Sequence, residues 1–161
     1  MRSITVILLA LAAILPLRAA SAEPQRLALL PFELDDSSGE GPRAEQDKRL
    51  RMMDAELRAA LSASSRYAPV EASLPPGTAA VRGCNRCDIA AAERAGTPLV
   101  LTGVVRKVST LILSMTLIVR EAPSGVTRNV WTADFRGNND ESWQHALRWL
   151  LRNRVLAEPQ P

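Results

Sequence analysis

Cys84 and Cys87 are the only two cysteines in a chain of 161 residues, and they stand in a C-x-x-C spacing followed by Asp88. That spacing suits three kinds of chemistry. Oxidised, the pair closes a small structural disulfide. At the amino terminus of a helix, where thiol pKa falls, it can exchange disulfides with another protein. As thiolates it can enter a metal site or bond to a partner's thiol. The surroundings favour the first. No apolar strand precedes Cys84, only Thr78-Ala79-Ala80-Val81-Arg82-Gly83, which argues against a thioredoxin-like site. Asp88 stands where covalent haem attachment needs His. A closed zinc site needs four ligands, and beside the cysteines the chain offers a single His, His145. We therefore expect an intramolecular Cys84–Cys87 disulfide that clips a loop to a helix, with Asp88 capping that helix. Thiol–disulfide exchange or redox sensing by the pair is the alternative function.

Other chemistry finds little support. There is no Gly-x-Ser-x-Gly nucleophile elbow and no Gly-rich phosphate cradle. His145 has Ser142 three residues before it, a common spacing that favours a surface His. The acids Glu33, Asp35, Asp36 and Glu40 lack the alternation and central Gly of a calcium loop, so they read as a solvated loop. No catalytic residue, cofactor or metal is assigned. One binding feature remains. On the last helix Trp143, Ala146, Leu147, Leu150 and Leu151 form the apolar stripe, and Trp149 falls off it beside Arg148, Arg152 and His145. Exposed Trp and Arg favour interfaces, so these residues are a candidate patch for a protein partner.

These residues need elements to hold them. Arg26 to Phe32 is an apolar run ending at a proline, a buried first strand. Glu33 to Arg43 reads as loop. Ala44 to Ser64 places Leu50, Met53, Leu57, Ala60 and Leu61 at three- and four-residue steps, an amphipathic helix. Tyr67 to Ala72 is a weak strand, Cys84 to Arg94 a short helix ended by Gly96 and Pro98, and Leu99 to Val105 a strand. Thr110 to Glu121 alternates, with Leu111, Leu113, Met115, Leu117 and Val119 on a buried face and Ser114, Thr116 and Arg120 on a wetter one. Pro123-Ser124-Gly125 turns the chain into Thr127 to Phe135. Asp140 to Arg154 is the final helix, capped by Asn139 or Asp140. The expected fold is α/β of an α+β-like kind. It is a single domain over residues 23–157, a mixed five-stranded sheet with about three helices, ending in an antiparallel hairpin and a C-terminal helix.

The amino terminus reads as an export signal. Met1-Arg2-Ser3 brings one positive charge, Ile4 to Leu15 is apolar, and Ala20-Ser21-Ala22 is a small-residue cleavage site. The apolar run is shorter than the roughly 20 residues of a spanning helix, so no stable membrane anchor is expected. Cleavage after Ala22 removes Arg2 and Arg18, leaving 18 basic against 17 acidic residues. With that near-neutral balance, no nucleic-acid signature and a periplasmic destination, nucleic acid is not a partner. Residues 158–161 read as a disordered tail.

The stretches LALLPFEL, CNRCDIAAAERAG, LVLTGVVRKVSTLILSMTLIVREAPSG and RGNNDESWQHALRWLLRNR resemble an uncharacterised family of secreted proteobacterial proteins, a domain of unknown function. The likeness spans nearly the whole chain after the export signal, and CxxCD and RGNxDESW are its fairly specific motifs. More distantly, the pattern of elements resembles the amino-terminal domain of the translocation protein TolB and the periplasmic domain of the curli secretion channel. That resemblance implies a non-catalytic interaction domain of the cell envelope, with a protein partner in the periplasm. On this reading the exported protein begins at or near Glu23 by mass spectrometry, and Met1–Ala22 retained in a membrane fraction would overturn it.

Overall fold

The apolar residues Leu27, Ala28 and Leu29 make β1 (Gln25–Leu29), buried on both faces as a central strand must be. The computed structural model describes residues 23–157; the expected signal peptide and tail lie outside the described residues. After β1 the chain breaks at Pro31 and resumes as β2 (Glu33–Asp36). The amide freed at the break is not lost, because the Phe32 N–H donates to Asp54 Oδ1 at 2.8 Å. β2 is a strand where the sequence reads as loop. Its acids are half-buried and paired: Asp35 and Asp36 meet Arg82, Arg106 and Lys107, so pairing replaces part of their hydration.

α1 (Ala44–Ala63) follows, then β3 (Tyr67–Glu71), α2 (Cys87–Arg94), β4 (Leu99–Lys107), β5 (Leu113–Glu121), β6 (Thr127–Phe135) and α3 (Asp140–Leu150). One π-helical turn, Leu151–Val155, extends α3. The wider turn keeps Leu151 and Val155 both buried behind Leu147 and Leu150.

The sheet runs β3-β1-β4-β5-β6, with β2 beside β4 beyond the end of β1, which makes six strands. β1 is parallel to β3 and β4, and β2 is parallel to β4. β4, β5 and β6 form the expected antiparallel meander. One face carries the main core. Met53, Leu57 and Leu61 of α1 and Trp143, Leu147 and Leu150 of α3 pack there on Leu27, Leu101, Met115 and Leu117. On the other face α2 packs on Ala28, Leu30 and Val100 in a smaller cluster. Leu111, expected on the buried face of β5, is 63% exposed, because β5 begins at Leu113 and Leu111 lies in the preceding turn.

Gly103 in the middle of β4 has a packing reason. A Cβ there would lie 2.4 Å from Cε1 of the buried Phe32 ring. Gly103→Ala should therefore destabilise the protein by about 1–3 kcal/mol in urea unfolding, the usual cost of overpacking. Phe32→Leu should recover part of that loss, and additive effects of the two substitutions would refute the contact.

Candidate functional site

Cys84 and Cys87 form a disulfide, with Cα atoms 5.7 Å apart. Cys87 is buried and Cys84 partly exposed. Between them Arg86 takes a left-handed conformation, φ 64°, and occupies the position before α2. Its guanidinium donates to the Pro123 carbonyl and, at 3.2 Å, to the Ser124 carbonyl of the β5–β6 turn. Asp88 does not cap α2. It sits buried in the first turn and accepts from Arg120 Nη1 at 2.9 and 2.7 Å. Arg120 Nε in turn donates to the Gly125 carbonyl at 3.1 Å. The carboxylate thus answers a charge from β5 in preference to the helix amides. The CxxCD segment and one turn of the hairpin are a single bonded unit.

The second motif does the same at the other end of the hairpin. Gly137 turns the chain at φ 89°. Asn138 Oδ1 accepts from Trp143 Nε1 and from Arg49 of α1, both at 3.1 Å. Asn139, not Asp140, caps α3, accepting from the Ser142 N–H at 2.9 Å. Asp140 instead takes Arg49 Nε at 2.8 Å, and that bond holds its carboxyl below the usual range. Trp143 is buried and meets Phe135 edge-on.

The expected patch on α3 is partly assembled. Trp149 is 36% exposed, and the guanidinium over its ring belongs to Arg154. Arg148 pairs with Glu56 of α1. Arg152 and His145 are exposed.

Lys107 at the end of β4 went unnoticed in the sequence. It is fully buried, and its Nζ donates to Glu40 Oε2 at 2.7 Å, Ser38 Oγ at 2.9 Å and Asp36 Oδ2 at 3.0 Å. Gln46 donates to the same Asp36 oxygen. A signal existed: Lys107 continues the alternate-residue series Leu99, Leu101, Gly103, Val105 toward the core, so its charge required acids nearby. Among the described residues, no three His, Cys, Asp or Glu side chains group as a metal site, and no helix is long and apolar enough to cross a membrane.

Two open surfaces remain. Beyond α2, none of the described residues covers the second sheet face over the meander, where Val104, Thr116, Ile118, Val130 and Thr132 lie partly or fully exposed. Among the described residues, the outer edge of β6 has no strand partner.

Residues 25–155 match the DUF3280 family, described as "Protein of unknown function (DUF2380)". The chain belongs to this family. The match runs from β1 to the π turn and so takes in both motifs. No curated protein sequence matches at a significant level. Among solved structures, PelC from Paraburkholderia phytofirmans, described as a dodecamer, is similar with a TM-score of 0.52 at 10% identity, over 80% of this chain and 86% of that one. The LpoB C-terminal domain from Salmonella enterica scores 0.48 at 12% identity, over 70% of this chain and 82% of that one. TolB from Acinetobacter baumannii scores 0.47 at 12% identity, over 84% of this chain and 30% of that one. The likeness to PelC shows a shared fold.

The Lys107 cluster sets a pH dependence. Bonds from Ser38 first, then from Lys107 and Gln46, outweigh burial and hold the Asp36 carboxyl well below its ordinary 3.8. Its contribution to stability is complete above about pH 4 and is lost as pH falls further. Burial pulls Lys107 down, but Glu40 and Asp36 overcome it and raise its pKa above 10.5. That contribution is complete below about pH 10 and is lost above it. Urea unfolding should therefore weaken at both extremes, and Asp36→Asn should flatten the acid limb. An acid limb unchanged in that variant would assign it to other carboxylates. Lys107→Ala, which strands two carboxylates, should cost about 3–5 kcal/mol.

Proposed function

We propose that this protein is a non-catalytic accessory protein of the bacterial cell envelope, exported to the periplasm, where it binds an extended segment of a partner protein along β6. The observation that carries the reading is the contrast between the two edges of the sheet. β3 at one edge is five residues long and interrupted by Pro69, which blunts strand addition. β6 at the other edge is nine residues long, has no proline, and is uncharged from Asn129 to Ala133. Such an edge presents unpaired backbone donors and acceptors, the template on which an added strand forms. Val130, 56% exposed, and the open face behind it offer side-chain contact to that strand. The export signal expected from the sequence and the oxidised cysteine pair support the compartment. A second copy of the chain is the other occupant this edge favours, since PelC, of the same fold, is described as a dodecamer.

Val130→Lys places a charge in the middle of the edge and tests the reading. Capture of a periplasmic partner, or self-association in sedimentation velocity, should fall at least tenfold. Urea unfolding should stay within about 0.5 kcal/mol of the parent, as for an ordinary surface change. Unchanged binding would remove β6 as the site. Turnover of a disulfide substrate by the purified protein, abolished in Cys84→Ser, would replace the reading with thiol–disulfide exchange.

A further inference from the structure

The same CxxCD unit carries an inference that does not rest on the partner-binding reading. We infer that the Cys84–Cys87 disulfide is a reducible clamp on the β5–β6 turn, with Cys84 the sulfur that an incoming thiol attacks and Arg86 the residue through which the clamp acts.

Three independent observations meet at this point. First, Arg86 is the only non-glycine residue at positive φ among the described residues. An L side chain in the left-handed region is strained and persists only where its surroundings over-determine it. Here two constraints do so: the covalent ring closed across Cys84–Cys87, and the two carbonyls of the turn that Arg86 holds. Second, the turn is shaped to receive that side chain. A Cβ on Gly125 would lie 2.6 Å from Arg86 Nη1, so glycine at this position leaves the room the guanidinium fills. Third, the two sulfurs differ. Cys84 is partly exposed, whereas Cys87 is buried at the first position of α2 with Thr78 Oγ1 3.8 Å from its sulfur. A helix amino terminus and a hydroxyl donor both favour a thiolate, which makes Cys87 the better leaving group.

The chemistry follows from that asymmetry. A thiolate of a reducing dithiol attacks Sγ of Cys84. The Cys84–Cys87 bond breaks, its electron pair leaves on Cys87, and a mixed disulfide forms at Cys84. The second thiol of the dithiol attacks the mixed disulfide and releases Cys84. The protein gains two electrons and two protons, and the dithiol becomes a disulfide. With the ring open, Arg86 relaxes out of the left-handed region and the Pro123 and Ser124 carbonyls lose their donor. Arg120 still bonds Asp88 and the Gly125 carbonyl, so β5 and β6 stay paired while the turn loosens.

Hydrogen exchange by mass spectrometry on the intact protein reads this directly. In the oxidised protein the Glu121, Ala122 and Gly125 amides are bonded to the Val126, Pro98 and Glu121 carbonyls. After reduction by dithiothreitol, with two free thiols verified by alkylation, exchange over residues 121–126 should rise by about thirtyfold, the factor that corresponds to two hydrogen bonds of about 1 kcal/mol each. Exchange in α1 and in Leu113–Val119 should not change. Arg86→Ala with the disulfide intact should reproduce the rise. Limited reaction with glutathione, followed by alkylation, should place glutathione on Cys84 and the alkyl group on Cys87. Unchanged exchange at the turn in the reduced protein overturns the clamp, as does loss of protection throughout the domain. Resistance to dithiothreitol under native conditions overturns the reducible clamp, and glutathione on Cys87 overturns the assignment of the attacked sulfur.

Discussion

β4 is the strand on which every other element depends. Along its nine residues it pairs with β5, and on its opposite edge it pairs with β1 at Leu99–Leu101 and with β2 at Val104–Lys107. A strand buried this completely has few tolerable sequences. It is apolar on both faces near Leu99–Leu101, it must omit a side chain at Gly103 where Phe32 crosses, and it can end inward on Lys107 only because β2 and its following loop supply two carboxylates. The break at Pro31 follows from the same constraint. Phe32 needs the space above Gly103, so the first strand cannot run through as one piece. It is divided into β1, apolar over Leu27–Leu29, and β2, which with the loop after it carries the acids that Lys107 requires.

The CxxCD and RGNxDESW segments have parallel tasks at opposite ends of the β5–β6 hairpin. At the turn, Arg86 and Arg120 reach the Pro123, Ser124 and Gly125 carbonyls, with Asp88 neutralising Arg120 in a nearly dry position. At the open end, Asn138 gathers Trp143 and Arg49, while its amide donates to the Thr110 carbonyl of the β4–β5 connection. A hairpin on the outside of a sheet is stabilised by neighbours on one side only. Fixing both ends ties the hairpin to α2 at the turn and to α1 and the β4–β5 connection at the open end.

Much of this was legible. Alternation placed Leu113, Met115, Leu117 and Val119 inside, and the stripe Met53, Leu57, Leu61 and that of Trp143, Leu147 and Leu150 marked the two helices of the main layer. The meander and the final helix followed from turn residues and period. What failed to show was every feature that depends on charges distant in sequence. β2 looked like a loop because its acids seemed destined for water, and only Lys107 and Arg106, about seventy residues away, make it a strand. Asp88 and Asp140 looked like helix caps because that is the best local use of a carboxylate. Arg120 and Arg49 offered stronger bonds from outside the local window. Trp149 stood apart from its helix stripe in the sequence, and it is exposed for that reason, but the cation on its ring, Arg154, enters through the π turn that periodicity at 3.6 does not anticipate.

The disulfide is best understood by comparing two energies of similar size. Bridging residues only three apart removes little freedom from the unfolded chain, about 2 kcal/mol when the loop-closure relation is applied to a four-residue ring. Holding Arg86 in the left-handed region costs about 1–2 kcal/mol. The two nearly cancel, so the bridge adds little to the stability of the domain as a whole. Its effect is local instead. It holds, while oxidised, a conformation that an arginine would otherwise leave, and the hydrogen bonds of that arginine carry the constraint across to the turn of the hairpin. A larger loop or a glycine at position 86 would each break the balance, the first by making the disulfide a general staple, the second by leaving no side chain to reach the turn. The short spacing and the charged residue inside it act together: a weak covalent tie, placed where its small energy decides the position of one side chain.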